Sequence, residues 1–256
     1  MIVTVSNHVD TYRVKAKFAR DVHQLDGRSG NRARTEFINR AILDVLAPKA
    51  GQSLVDVGCG DGCLLQLLKQ SGHSEALGVT ATPEEEKRLR ALGLEVRQGF
   101  TDHLPVSAET ADLVVCNGVF VIVPGPQIPA SMREIARVAK PGALIFLGEI
   151  PQAAELANVP RSSTAAELLW YLLKTHGVRT FLGMCRRMLW SSLRRVPMVL
   201  NTAPNTEFYA RPDDFVRLAA DCGMQLERYF PAKDLDPSGA VRTMETRMNY
   251  LFKKAA

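Results

Sequence analysis

The stretch that most constrains this chain is Leu54-Val55-Asp56-Val57-Gly58-Cys59-Gly60-Asp61-Gly62. A short apolar run at 53–57 breaks at a glycine. Leu64, Leu65, Leu67 and Leu68 then recur at helical spacing. A strand, a glycine turn and a helix in that order predict a tight reversal whose backbone a ligand can reach without meeting a Cβ atom. The unpaired N–H groups of the helix start would face that ligand. A dinucleotide loop calls for G-x-G-x-x-G or G-x-G-x-x-A, its last small residue allowing the helix to pack closely on the strand. Counted from Gly58 that last position is Cys63, and counted from Gly60 it is Leu65. Neither frame fits, which argues against a nicotinamide-dependent oxidoreductase.

The rest of the chain extends the pattern. Apolar runs at 76–80, 92–97, 111–116 and 143–147 read as strands. Pro83 with three glutamates behind it opens a helix. Residues 130–140 have the period of an amphipathic helix, with Pro141-Gly142 as its expected stop. Strands alternating with helices imply parallel βαβ units with helices on both faces. After residue 150 the rhythm gives way to a stretch, 152–205, that reads as helical and contains no convincing strand. It resumes with a helix opened by Pro212 and closed near Gly223. Two final strands at 224–230 and 247–253 flank a linker, 231–246. The organisation expected is one domain: a helical N-terminal cap at 1–45, a cofactor-binding core at 50–151, a basic helical insert or lid at 152–205, and a helix and strand pair at 206–256 that complete the sheet.

The observed spacing G-x-G-x-G, with Asp56 two residues before the first glycine, resembles the first motif of the class I S-adenosylmethionine-dependent methyltransferases. The resemblance implies a Rossmann-like, doubly wound α/β fold with a mostly parallel seven-stranded sheet and a helical cap. It also implies S-adenosyl-L-methionine as cofactor, held by Asp56, Gly58, Cys59 and Gly60. Family members end the next strand with an acid for the ribose hydroxyls; here Thr80 stands in its place, and Glu84 is the nearby substitute considered. Gly99-Phe100-Thr101-Asp102-His103-Leu104-Pro105 is similar to the family's adenine loop, which implies roles for Thr101 and Asp102 and a packing role for Phe100 on the base. Asn117 falls at the strand end that lies beside the sulfonium. No Asn/Asp-Pro-Pro-aromatic string follows it, against the nucleic-acid amino-methylating branch. The resemblance covers about residues 50–150 well and 206–256 in outline.

Methyl transfer from a sulfonium needs alignment more than activation, but an alcohol acceptor needs a base for its proton. His103, His176 and Glu149 are the candidates, Glu149 because it lies just past the fifth strand, at the edge where open α/β sheets bind ligands. The reading is a methyltransferase acting on a small-molecule, glycan or lipid-linked acceptor, at oxygen. A module that binds the cofactor without turnover is the alternative.

Composition narrows the remaining classes. With 46% hydrophobic and 23% charged residues the chain is an ordinary globular one. Five scattered cysteines form neither a disulfide framework nor a zinc set, so no metal is expected. No secretory signal or bilayer-length apolar run is visible, which makes a cytoplasmic protein the expectation. The net charge of +5 is concentrated in 161–195, where Arg161, Lys174, Arg179, Arg186, Arg187, Arg194 and Arg195 face a single acid, Glu167. Phe181, Met184, Cys185 and Met188 would share one helical face there, with Arg179, Arg186, Arg187 and Arg194 on the other. The insert reads as a cap, a lid over an anionic or apolar acceptor, or a peripheral membrane contact. Nucleic acid is disfavoured because the patch lacks a recognised module.

Overall fold

The computed structural model describes residues 2–5, 7–19, 21–25, 31–152, 165–193, 198–201, 209–236 and 238–255. A seven-stranded sheet forms its centre. Strands β2 (Leu54–Val57), β3 (Ala76–Thr80), β4 (Glu95–Gln98), β5 (Ala111–Asn117) and β6 (Ala139–Pro151) run parallel; β9 (Val241–Lys254) runs antiparallel between β6 and β8 (Met224–Leu235), which restores β8 to the direction of the core strands. The spatial order is β4-β3-β2-β5-β6-β9-β8. Chain order reverses between β2 and β5, which opens a crevice at the carboxyl edge of the sheet. This is the Rossmann-like doubly wound sheet that the sequence implies.

Helices α2 (Arg32–Leu46) and α3 (Cys63–Gln70) cover one face of the sheet. Their apolar stripes, Ile38, Ile42, Leu46, Leu64 and Leu68, pack with Leu54, Leu113 and Phe146. On the other face, α5 (Ile128–Val138) and α7 (Pro212–Asp221) bury Met132, Ile135, Phe215 and Ala219 against Val114, Ile145, Tyr250 and Phe252. Phe215 lies 4.8 Å from Tyr250, centroid to centroid, in a tilted pair. Helix α4 (Pro83–Arg90) is capped by Thr82, whose side chain accepts from the Glu85 N–H.

Three expectations need correction. Pro141-Gly142 does not separate helix from strand: α5 ends at Val138 and β6 begins at Ala139, with both residues inside it. The register shift between Ala111 and Leu113 on β5 falls opposite this stretch, so the irregularity takes up residues that cannot keep a regular ladder. The expected linker 231–246 is mostly strand, because β8 and β9 continue through a second register shift at Pro231/Ala232 into a hairpin around Asp236–Ala240. The insert contains a strand after all: β7 (Met198–Asn201) pairs in parallel with β1 (Ile2–Val5), forming a separate two-stranded sheet that ties the N-terminus to the insert. Between them, α1 (His8–Phe18) packs on α4 and β7.

The insert helix α6 (Ala165–Leu193) leaves helical geometry at Gly177. Phe181, Met184 and Cys185 are half-buried, as the period implies. The side carrying Arg179 and Arg186 is not purely polar: Val178, Leu182, Leu189, Trp190 and Leu193 are each more than half exposed beside them. Met188, Arg161, Arg187, Arg194 and Arg195 lie outside the described side chains.

Candidate functional site

The turn after β2 is shaped by its glycines. Gly58, Gly60 and Gly62 all take positive φ, at 78°, 55° and 74°. A Cβ on Gly58 would stand 2.3 Å from Val119 Cγ2, so only glycine lets β2 pass under the segment that follows β5. The Gly58 and Cys59 N–H groups both donate to the Val79 carbonyl, at 2.9 and 3.1 Å, stitching the turn to β3. The first helical amides close on the loop itself: Gly62 donates to the Cys59 carbonyl and Cys63 to Asp61 Oδ1. The expected presentation of helix-start amides is therefore reduced, and the exposed main chain is that of Gly58 and Gly60.

Beside this turn lies a cavity of about 1010 Å³, at the upper end of the range for small-molecule pockets. Gly58, Gly60, Thr80, Thr101, Asp102 and Asn117 line it. Asp56 and Cys59 sit beneath the wall, not on it. Asp56 is buried within β2, and the Cys59 thiol packs against Gly78 and Leu65. Burial pushes that thiol well above its ordinary range, the behaviour of a packing group.

An acid does occupy the edge of β3, though neither at position 80 nor at Glu84. Thr80 and Thr82 donate their hydroxyls to Glu85 Oε2, at 2.7 and 2.8 Å, and the Glu85 N–H returns to Thr82 Oγ1. Glu85 is buried at the cavity wall, where desolvation raises its pKa and the two threonine hydroxyls work against that rise. The signal was present in the sequence as the capping-box spacing Thr82-x-x-Glu85.

The loop 99–106 forms the next part of the wall. Gly99 donates to the Thr80 carbonyl, and Thr101 Oγ1 lies 2.7 Å from Ser131 Oγ on α5. Glu134 accepts from the Leu104 N–H, and Arg137 donates to the Leu104 and Val106 carbonyls, clamping the loop to α5. Phe100 projects into the cavity with nearly half its surface exposed, so it is not a core residue.

At the end of β5, the side chain of Asn117 lies over Gly148: a Cβ there would come within 2.0 Å of Asn117 Oδ1. One residue on, Glu149 takes φ 56°, a left-handed conformation costly for a residue with a side chain. Its N–H donates to Asn249 Oδ1 at 2.9 Å, and its carboxylate receives Arg247 Nη1 at 3.3 Å. This strained corner turns Glu149 into the cavity. His103 is exposed and off the wall, and the His176 side chain lies outside those described. Of the two candidate bases whose side chains are described, Glu149 lines the cavity and His103 does not.

The N-terminal segment supplies what sequence reasoning left out. Asn7, His8, Val9 and Tyr12 of α1 and its cap line the cavity, as does the wholly buried Leu25. His23 Nδ1 lies 3.0 Å from Oδ2 of Asp61, a buried residue in the glycine turn. No local pattern in 1–25 signals these contacts, because the partners lie tens of residues away.

A glycine turn under a crevice at a strand-order reversal defines a nucleotide-binding α/β protein. Residues 55–147 match the family model described as methyltransferase domain. Over that span the chain is similar to methyltransferase domains. Ribosomal protein L11 methyltransferase of Cupriavidus pinatubonensis is 36% identical over 110 residues, 42% of this chain and 35% of that protein. The chain thus spans about a third of that relative's length. Ubiquinone biosynthesis O-methyltransferase of Xanthomonas oryzae is 29% identical over 189 residues, covering 68% of this chain and 76% of the relative. Among solved structures, a SAM-dependent methyltransferase of Methanosarcina mazei superposes with a TM-score of 0.52 at 18% identity, over 84% of this chain and 97% of that one. Magnesium protoporphyrin IX methyltransferase of Synechocystis, solved with bound SAH, gives 0.50 at 17% identity, over 86% and 82%.

The cofactor of this family is S-adenosylmethionine, and the residues present fit it. The cavity abuts bare main chain at Gly58 and Gly60, holds a carboxylate at Glu85 for hydroxyl groups, and offers the exposed face of Phe100 for a base.

Proposed function

We propose that the chain transfers a methyl group from S-adenosylmethionine to a hydroxyl of a small or lipid-linked acceptor. The observation that carries this reading is a single cavity reached both by the glycine turn and Glu85 and by Glu149 across the sheet. The strand order puts β3 and β6 three places apart, roughly 14 Å at about 4.8 Å per strand. That span suits a nucleoside at one end and an acceptor at the other. When bound, the cofactor supplies a methyl group already activated on a positive sulfur. Gly58 and Gly60 would hold its main-chain-facing side, Glu85 and Thr80 its ribose, and Phe100, Thr101 and Asp102 its base. Asn117 would orient the groups at the centre. Glu149 would take the acceptor hydroxyl's proton at its carboxylate, with Arg247 holding that carboxylate in place. Asp56 and Cys59 would act by supporting the turn. The part of the wall that α1 supplies would limit the access of water. A glycan hydroxyl is open to the same base.

The test is binding and turnover together. S-adenosylhomocysteine at a hundred times its Kd should raise Tm by about 5–10 °C, and NAD should leave it unchanged. Glu149→Gln should keep that shift and lower kcat about 10²–10⁴-fold once an acceptor is found. A shift from NAD alone would return the oxidoreductase reading. Binding with no turnover across a broad acceptor panel would leave a cofactor-binding module.

A second reading concerns the insert. Trp170, Leu182, Leu189, Trp190 and Leu193 are more than half exposed beside Lys174, Arg179 and Arg186. Lys174 Nζ sits 5.0 Å from the Trp170 ring centroid. Exposed leucines and tryptophans interleaved with cations support peripheral docking on an anionic lipid surface. Among the described residues no helix is long and apolar enough to cross a membrane.

A further inference from the structure

The two halves of the cavity differ in charge. Over β3 and β4 the wall carries the carboxyl groups of Glu85 and Asp102, and His8 at the start of α1 also lines the cavity. Over β6 and β9 the wall carries Arg34, Arg247 and Glu149. Behind it, Asp234 is wholly buried on β8 and accepts from Nε and Nη2 of Arg34 and, at 3.3 Å, from Nη2 of Arg242. On the wall itself two guanidinium groups, of Arg34 and Arg247, stand with one carboxylate, that of Glu149.

The positions of these groups are held. The two-pronged pair with Asp234 fixes the plane of the Arg34 guanidinium, leaving Nη1 outside the pair. Arg34 comes from α2, Arg247 from β9 and Asp234 from β8, so three elements converge on one end of the cavity. A buried carboxylate that orients an arginine at a cavity wall is a fitting arrangement for recognising a planar or tetrahedral anion. Val119, Ile122, Val123 and Met244 add apolar lining to the same cavity.

We infer that the acceptor is an anion, carrying a carboxylate or phosphate that docks on Arg34 and Arg247 while its hydroxyl faces Glu149. The inference rests on the methyltransferase reading above and names the acceptor class for it. A neutral acceptor would leave the Arg34 edge desolvated without a partner.

Titration of S-adenosylhomocysteine-loaded protein with matched probes tests this. The anions are 4-hydroxybenzoate and 4-hydroxyphenyl phosphate; the neutral control is methyl 4-hydroxybenzoate. At least one anion should bind about tenfold or more tighter than the ester. The tighter anion tells carboxylate from phosphate. Arg247→Gln, and Arg34→Lys (which keeps a cation opposite Asp234), should each shrink that advantage to about threefold or less, with S-adenosylhomocysteine affinity unchanged. Equal binding of anions and ester, no binding of either anion, or an advantage that survives both substitutions overturns the inference while cofactor binding stands. Loss of S-adenosylhomocysteine binding by the wild-type chain would instead remove the methyltransferase reading, and this inference with it.

Discussion

Glu85 places a carboxylate at the cavity wall where local spacing offers only a threonine. Thr80 takes the strand-end position where the family has an acid, and the carboxylate returns five residues later from the first turn of α4. Burial raises its pKa, so the folded chain holds that proton more tightly than the unfolded chain. A raised carboxyl stabilises the fold at low pH and loses that contribution as pH rises from about 4.5 through the folded value. At neutral pH burying Glu85 is therefore a cost to the cofactor-free protein. Glu85→Gln should raise Tm at pH 7 by about 2 °C or more and flatten its decline above pH 4.5. It should also weaken S-adenosylhomocysteine by about tenfold, since a charged acceptor for ligand hydroxyls is gone. A lower Tm with unchanged affinity would mean that Glu85 serves only to cap its helix. Such exchanges of stability against function are common at binding sites.

At the scale of elements, the parallel core depends on a polar staple at the other end of the sheet. Asp112, at the start of β5, accepts from the Ser53 N–H, the Ser53 hydroxyl and Lys140 Nζ, at 2.9, 2.8 and 2.8 Å. It joins β5 to the entry of β2 and the start of β6. The Lys140 hydrogen bond, followed by the Ser53 N–H, holds its pKa down to about 2. The stability that this contributes is full above about pH 3.8 and is lost as pH falls through about 2. Asp112→Asn should lower Tm at pH 7 by about 2–4 °C, and the wild-type advantage should shrink as pH approaches 2. A constant difference across that range would refute the linkage. Lys140, Pro141 and Gly142 were read as the end of a helix, because proline and glycine there signal a stop. Pairing with β5 converts them to strand, a tertiary preference that no window of neighbouring residues contains.

At the scale of the whole molecule, the cap and the insert meet. β1 pairs with β7 across nearly 200 residues of chain, and α1 lies over the cavity that the core opens. The same insert exposes leucine and tryptophan beside arginine on α6. If that face docks on anionic lipid, Leu182→Ser with Leu189→Ser should reduce co-sedimentation with phosphatidylserine-containing vesicles severalfold, and high salt should weaken the wild type. Sedimentation unchanged by either treatment would rule docking out, and self-association lost on the same substitutions would assign the face to a second copy.

What the sequence determined by itself is the core: strand, glycine turn and helix at 54–70, the alternation that follows, and the cofactor class, all written in patterns a few residues long. Such patterns are local because backbone conformation and amphipathic period are local. Only the tertiary structure decided that Glu85 stands against Thr80 at the cavity wall, that Glu149 rather than His103 reaches the cavity, and that Arg34 meets Asp234. Those pairs are brought together by sheet order and side-chain direction, which depend on every element packing at once.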